Sequence, residues 1–484
     1  MRIFKLSSLH VAALVLIAVL TSSILTYTWV GAVTGEITID ETSILLTDGT
    51  NSMSADLDMA GYNIDNSTLY MPYSYLIYVV DDGETVTYYA KNGTDGNICW
   101  SSTNASYVLQ TSFDAVNASN KGTVYIKSAN YYVDSPLTSM WRGDIIAEQG
   151  TSLEATATLT SVMLTIPSYA SKIVINNLRF EALGYSAENV KIEGGTSHFN
   201  NVEFYGATTY GVWLTSSTLN DFYRCKWSAA ATGINMFLDG TGASVTANFN
   251  SFRENIFLEG GLHHVLADGR ASQNLFEHNI FEATAMGSTY AVLIRGNGAS
   301  PYGNVLKDNW FESDENVTTV EIAIVLDSAS LAYAPRMTKL INNHIGLYQQ
   351  AFALNYGNGT KIENTYTSGI ASGYYYLGTV ASNCYNTEII GGTDVDGLRV
   401  SNAGLFTQFK GEGYECTGVA SGTTAIQVDH PLKGQVTVLT LAINEYATYY
   451  NMSWNNVDGN TFEIHHDKGS SATVTYYANY RPGS

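Results

Sequence analysis

Between Asn250 and Ile345 one eight-residue phrase is stated three times and then once more in worn form: NSFRENIF from Asn250, NLFEHNIF from Asn274, NVLKDNWF from Asn304 and TKLINNHI from Thr338. Each copy sets two large apolar residues five positions apart (Phe252/Phe257, Phe276/Phe281, Leu306/Phe311, Leu340/Ile345), with an asparagine two places before the second. The copies begin 24, 30 and 34 residues apart. That is too uneven for a helical repeat but natural if each copy is one coil whose loops vary in length. The asparagines Asn255, Asn279, Asn309 and Asn343 then form a column. Stacked strands lie ~4.8 Å apart, so an inward amide can donate to one neighbour and accept from the other. Asparagine also tolerates the left-handed backbone that a sharp turn between short strands needs.

The pattern runs both ways. The apolar pair appears earlier as Ile175/Phe180, Phe199/Phe204 and Phe222/Trp227 and later as Tyr385/Ile390, and Asn364 is expected to continue the asparagine column. Val202 and Cys225 fill the asparagine slot before Asn255, so the column starts there. Ahead of the phrases a second strand recurs: GVWLTSS from Gly211, GINMFLDG from Gly233, HVLADGR from His264, AVLIRGN from Ala291, AIVLDSA from Ala323 and ALNYGN from Ala353. Two or three short strands per coil describe an all-β chain wound as a parallel β-helix. From roughly Tyr78 to Gly404 the chain resembles the right-handed parallel β-helix superfamily of pectate lyases, polygalacturonases and viral tailspikes. The resemblance is architectural, because such repeats specify a fold better than a reaction.

Composition agrees. Of 484 residues 45% are hydrophobic and 14% charged, ample for a large core. The formal net charge of −21 argues against nucleic acid and anionic membrane surfaces as partners. It also weighs against a polyanionic glycan unless calcium or an arginine cluster intervenes. After Arg2 and Lys5 no charged side chain appears until Glu36, and Val11 to Leu20 is apolar. This is the pattern of a secretory signal cleaved after Ala32 or, since the uncharged span is long enough to cross a bilayer, of a signal anchor in the membrane. Either places the rest in the extracellular space or at the cell surface. The four cysteines, Cys99, Cys225, Cys384 and Cys416, have no metal-ligand spacing. Cys225 is expected to be a buried thiol, and Cys384 is expected to bridge to Cys416.

Four segments follow: 1–32 signal or anchor, 33–75 fibre-like, 76–404 β-helix, 405–484 β-sandwich. MSADLDMAGYNI from Met53 resembles a short β motif of phage tail-fibre proteins. SYVLQTSFDAVNA from Ser106 puts Val108, Leu109, Phe113 and Val116 on one helical face. It resembles the helix that plugs the N-terminal end of pectate-lyase-like β-helices, where a bare coil would expose strand edges. Beyond Gly404, alternating strands with a hairpin turn at Val457 to Asn460 resemble the small β-sandwich that closes fibre proteins. These ends point to a homo-oligomer, a trimer as in tailspikes, with a capped monomer as the competing reading.

Phosphate-loop, nucleophile-elbow, zinc and dinucleotide motifs are missing, so chemistry must come from residues that stacking assembles. Aligning the second strand on its last inward apolar residue (Leu238, Ala267, Ile294, Leu326, Leu354) places Asp239, Asp268, Arg295, Asp327 and Asn355 next, facing out, with Arg270 two residues past Asp268. This column resembles the acids that polygalacturonase-like enzymes set on consecutive coils. The Asn-Thr-Asp and His-Gly motifs of that family are absent from the sequence. As a glycosidase or polysaccharide lyase the chain would use Asp239, Asp268 and Asp327 as acid, base or calcium ligands and Arg295 or Arg270 to position the sugar. Calcium is the one cofactor this reading admits. Against it, an aspartate at a strand end caps its own turn. A second outward set, Trp310 with Glu282, Glu312 and His344, suits sugar stacking and hydrogen bonding. Arg253, Glu277 and Lys307 alternate in sign on neighbouring coils and would steady the stack. The sequence therefore predicts a β-helix that engages a neutral or lightly charged extracellular glycan, either cleaving it or holding it as a non-catalytic fibre or adhesin.

Overall fold

The computed structural model describes residues 73–402 apart from 231, 243, 259–261, 283–289, 314–321, 370–375 and 392–398, together with strands between Leu57 and Ile64 and between Gln408 and Tyr480. The expected signal or anchor lies outside the described residues. Among them, no helix is long and apolar enough to cross a membrane. The chain divides into two units, 1–69 and 70–484. In the first, Leu57–Met59 and Tyr62–Ile64 pair antiparallel, within the stretch that resembles the fibre motif.

The second unit opens with an antiparallel meander, Tyr75–Asp81, Val86–Asn92 and Ile98–Ser102, followed by the helix Ala105–Ala118. Asn104 caps it, its side chain accepting from the Tyr107 N–H at 3.0 Å. Val108, Leu109, Phe113 and Val116 are buried and share one core with Val124 and Ile126 of the first coil.

From there the chain winds as a right-handed parallel β-helix. Sheet I contains eleven parallel strands, from Leu137–Thr138 to Arg399–Asn402. Sheet II stacks the first halves of the phrases and sheet III the second halves. The long strands Gly143–Ala155 and Ile173–Glu181 run through both. Period-two alternation sends one large apolar residue of each phrase inward on each sheet. In sheet II, Phe199, Phe222, Phe252 and Phe276 stand in register with ring centroids 4.6–5.2 Å apart. In sheet III, Phe204, Trp227, Phe257, Phe281 and Phe311 do the same at 4.6–5.2 Å. Each such ring contributes about 1.5–3 kcal/mol on burial. The pair Tyr385/Ile390 does not hold: Ile389 faces in opposite Ile362, in the first apolar slot of its coil, while Tyr385 lies on the short strand before it, opposite Asn358.

The asparagine column is a continuous hydrogen-bonded ladder. Asn255 Nδ2 donates to Asn279 Oδ1 at 2.9 Å, Asn279 to Asn309 at 3.0 Å and Asn309 to Asn343 at 3.0 Å. Each Oδ1 also accepts a backbone N–H from the coil before, starting with Cys225 to Asn255 at 2.8 Å. The second Nδ2 hydrogen reaches back to a carbonyl of the preceding coil. Asn364 is not part of it. Asn364 has φ 47° and takes the left-handed turn position, in line with Glu254, His278, Asp308 and Asn342, each one residue before the ladder. Buried Thr365 occupies the ladder slot. The ladder asparagines themselves avoid the left-handed region. A second ladder, Asn220, Asn250, Asn274 and Asn304, runs along the first residue of the phrase with Nδ2 to Oδ1 distances of 2.8–3.1 Å.

Charged pairs tie the outside of sheet II: Arg253 to Asp221 at 2.9 Å and Lys307 to Glu277 at 2.6 Å. Cys225 is a buried thiol. Cys384 is also a free buried thiol rather than half of a bridge, and donates to the Leu354 carbonyl at 3.1 Å. Beyond the coils lie two three-stranded antiparallel sheets. Glu415–Gly422, Ala472–Tyr480 and Val436–Ile443 form one, and Ala425–Asp429, Thr461–His466 and Met452–Asn456 the other. The strands flanking Val457 to Asn460 pair antiparallel.

Candidate functional site

Sheet I turns three columns outward. The middle one, Phe237, Leu266, Leu293, Val325 and Ala353, is apolar and buried. Beside it stand Asp239, Asp268, Arg295 and Asp327, in register on consecutive strands. Asp268 and Arg295 meet, while Asp239 turns to its own loop. Asp268 is 2% exposed. It accepts from Arg295 Nη2 at 2.5 Å and Nε at 3.3 Å, from Asn297 Nδ2 at 3.4 Å and from the Gly269 N–H at 3.0 Å. That hydrogen bond is the main cause holding the Arg295 guanidinium above its ordinary pKa. Asp239 is engaged in its own turn, accepting from the Thr241 N–H at 3.0 Å and hydroxyl at 2.7 Å, and from Trp213 Nε1 at 3.3 Å. Asp327 is half-buried. Arg270 lies exposed in the turn past the strand, its N–H donating to the Gly240 carbonyl at 2.8 Å. Among the described residues, no cluster of three histidine, cysteine or acidic side chains is placed to hold a metal ion.

Sheet III presents a different surface. The seventh residue of each phrase faces out, and the column runs Ile256, Ile280, Trp310, His344, Tyr366. The strand spacing lets the rings stack. Trp310 and His344 lie face to face with centroids 4.0 Å apart and planes 8° from parallel, and Tyr366 meets His344 edge-on at 4.8 Å. Trp310 is 45% and Tyr366 44% exposed. Trp310 Nε1 donates to Glu312 at 3.2 Å. Glu312 stands beside Glu282 in register, and both are exposed. Burial lowers the His344 pKa, and its Nε2 is covered and has no hydrogen-bond partner. Turn residues Asp308, Asn342 and Asn364 wall a shallow groove of roughly 430 Å³ over these rings. The structure thus brings Trp310, His344 and Glu312 together and adds Tyr366 and Asn364. Tyr366 was detectable as the seventh residue of the coil that begins at Thr360.

No protein-family model matches the chain, and no curated protein sequence matches it. Among solved structures it is similar to the A-module of Azotobacter vinelandii mannuronan C-5 epimerase AlgE4, with 11% identity and TM-score 0.44 over 63% of this chain and 93% of that one. It is similar to the tailspike protein of E. coli bacteriophage HK620 in complex with pentasaccharide, with 8% identity and TM-score 0.46 over 78% and 89%. It is also similar to alginate lyase from a Paenibacillus species, with 13% identity and TM-score 0.45 over 61% and 96%. The fold rests on the parallel register of the three sheets themselves.

Proposed function

We propose that the chain is a glycan-binding β-helix of the extracellular space or cell surface, and that it holds its ligand on the outer face of sheet III without cleaving it. The observation that carries this reading is the exposed stack of Trp310, His344 and Tyr366 with Glu312 alongside. A sugar ring packs its C–H face on an exposed aromatic ring while its hydroxyls bond to carboxylates and amides at the edge. Glu312 and the amides of Asn342 and Asn364 supply that edge. The acidic balance of the chain favours a neutral glycan over a uronate.

The column on sheet I fits a strut better than a catalytic site. A general acid or base must reach the substrate proton directly or through one water. Asp268 is covered and its charge is met by Arg295, which also stands in for the charge calcium would bring. Asp239 caps a turn. The chain then acts as a fibre or adhesin. Trp310→Ala is expected to weaken binding to a neutral oligosaccharide array by about 10-fold or more, with little change in melting temperature because the ring is exposed. Unaltered binding by that variant would sink the proposal. So would depolymerisation of a bound glycan that Asp268→Asn abolishes without altering the melting temperature.

A further inference from the structure

The outer face of sheet III continues past Trp310. Followed toward the N-terminus, its outward column reads Ile280, Ile256, Lys226, Glu203, Arg179, Ser152 and Asn130. Over its first coils this strip sinks into a groove of roughly 780 Å³. The left-handed turn residues Gly150, Asn177 and Asn201 form one wall. Asn201 Nδ2 donates to Asn177 Oδ1 at 2.9 Å, which fixes both amides at the rim.

Three observations inside the groove point to a ligand. Ser152, in the groove lining, is 6% exposed, and its covered hydroxyl has no hydrogen-bond partner, a costly arrangement for a buried polar group. Two residues on along the same strand, the Glu154 carboxylate makes no hydrogen bond or ion pair among the described residues. Its carboxyl is pushed above the ordinary range by burial first and by Glu181 second. Arg179 is held in place by Glu181 and by the Tyr205 ring 4.4 Å from its guanidinium carbon. The lining thus mixes unspent acceptors, fixed amides and one anchored cation. Three glutamates, Glu154, Glu181 and Glu203, outweigh that cation, so an acidic sugar is disfavoured and a ligand rich in hydroxyls is served.

We propose that this groove is a second saccharide subsite, which takes an uncharged sugar through Ser152, Glu154 and Glu181, and that one extended glycan chain runs along the helix axis from it to the Trp310 platform. The second clause rests on the glycan-binding reading above. From Arg179 to Trp310 the column makes five strand steps, or ~24 Å along the axis. A chain long enough to span that distance engages both sites at once and gains avidity that a short one cannot.

The test titrates the full chain and three variants, Trp310→Ala, Ser152→Ala and Glu181→Gln, against neutral, amino and uronic-acid oligosaccharides graded from disaccharide to octasaccharide. Long neutral chains are expected to bind about 100-fold tighter than disaccharides. Ser152→Ala and Glu181→Gln should each weaken the long chains by about 3- to 10-fold. Ser152→Ala should leave the melting temperature the same or higher, since it removes an orphan hydroxyl, and this separates a binding role from a structural one. If Trp310→Ala abolishes binding while both groove variants bind like wild type, the subsite is refuted and the platform stands. If the groove variants weaken binding and Trp310→Ala does not, the platform and the spanning chain are refuted and the subsite stands. Preference for uronic acids, or long chains binding no better than short ones, refutes the ligand class or the spanning mode respectively. Failure of the wild type to bind any of them overturns both proposals.

Discussion

Replacing Asn279 by Leu removes the middle of the ladder while keeping the branch at Cγ, and the structure sets what is lost. Asn279 Oδ1 accepts from the Asn255 N–H at 3.0 Å and from Asn255 Nδ2 at 2.9 Å. Its Nδ2 donates to the Phe252 carbonyl at 2.9 Å and to Asn309 Oδ1 at 3.0 Å. Asn309 Oδ1 keeps a donor, because the backbone N–H of residue 279 still reaches it at 2.9 Å. Two donors on Asn255 and the Phe252 carbonyl lose their side-chain partner in a site that excludes water. At about 1–3 kcal/mol for each orphaned group, and less than additive because the three share one network, the loss is about 3–6 kcal/mol. Asn364→Gly is the matched control: Asn364 is exposed at φ 47°, a conformation glycine adopts freely, so its stability should barely change. Urea unfolding followed by tryptophan fluorescence reads both, and amide exchange at Asn255 should accelerate in the leucine variant alone. A midpoint shift for Asn279→Leu no larger than that for Asn364→Gly would refute the ladder as a source of stability.

Three further outcomes are expected. Asp268→Asn should cost about 2 kcal/mol, the penalty for breaking a pair with one buried partner after discounting the exposed side of Arg295, while oligosaccharide binding stays at the wild-type value; lost binding with an unchanged melting curve would contradict it. His264 is buried, with Nδ1 3.0 Å from Asn235 Nδ2 and no partner at Nε2, and burial, then His263, pushes its pKa down from 6.5 to about 3. Between those values the unfolded chain binds a proton that the folded chain does not, so stability falls as pH drops from about 6.5 toward 3, by up to about 1.4 kcal/mol per pH unit. His264→Phe should flatten that slope by one proton, and parallel wild-type and variant profiles of urea midpoint against pH would rule it out. The Cys225 and Cys384 thiols, pushed up to about 12 by burial, should resist a thiol reagent until the chain unfolds, whereas exposed Cys99 reacts at once; mass mapping of native labelling decides.

The parts of the fold that follow from side-chain period were legible in the sequence. The alternation that set Asp239, Asp268, Arg295 and Asp327 in one column needs only the inward residues Leu238, Ala267, Ile294 and Leu326, and strand pairing preserves that register whatever the loops do. Where the phrase decays, reading failed. Asn364 looks like the ladder residue but stands one place early, and the residue in the slot, Thr365, has a hydroxyl too short to bridge two coils and is left without a partner. The second ladder is visible in the sequence as the first letter of each phrase, Asn250, Asn274 and Asn304, and its signal is the recurrence of asparagine two places before the first apolar residue. Burial was not legible. Nothing local to Asp268 signals that its carboxylate is covered, since that depends on what packs over sheet I. The groove at Ser152 was hidden because its coils precede the mature phrase.

The same strand pitch acts in opposite directions on the two outer faces, and this decides between them. Two carboxylates one strand apart, as Asp239 and Asp268 are, repel by about 3 kcal/mol at an effective dielectric of about 20. The chain relieves this by giving Asp239 to Thr241 and Trp213 and Asp268 to Arg295, which consumes the groups a reaction would need. Glu282 and Glu312 meet the same geometry but are exposed to water and screened. Aromatic rings at that pitch attract, and Trp310 and His344 close to 4.0 Å. The ladders hold the pitch constant although the phrases are 24 to 34 residues apart, so a column of rings can be extended or replaced coil by coil without disturbing the core. A surface that repeats at a fixed spacing along an axis is suited to a ligand that also repeats along an axis, and on this chain the face with unspent side chains at that spacing is sheet III.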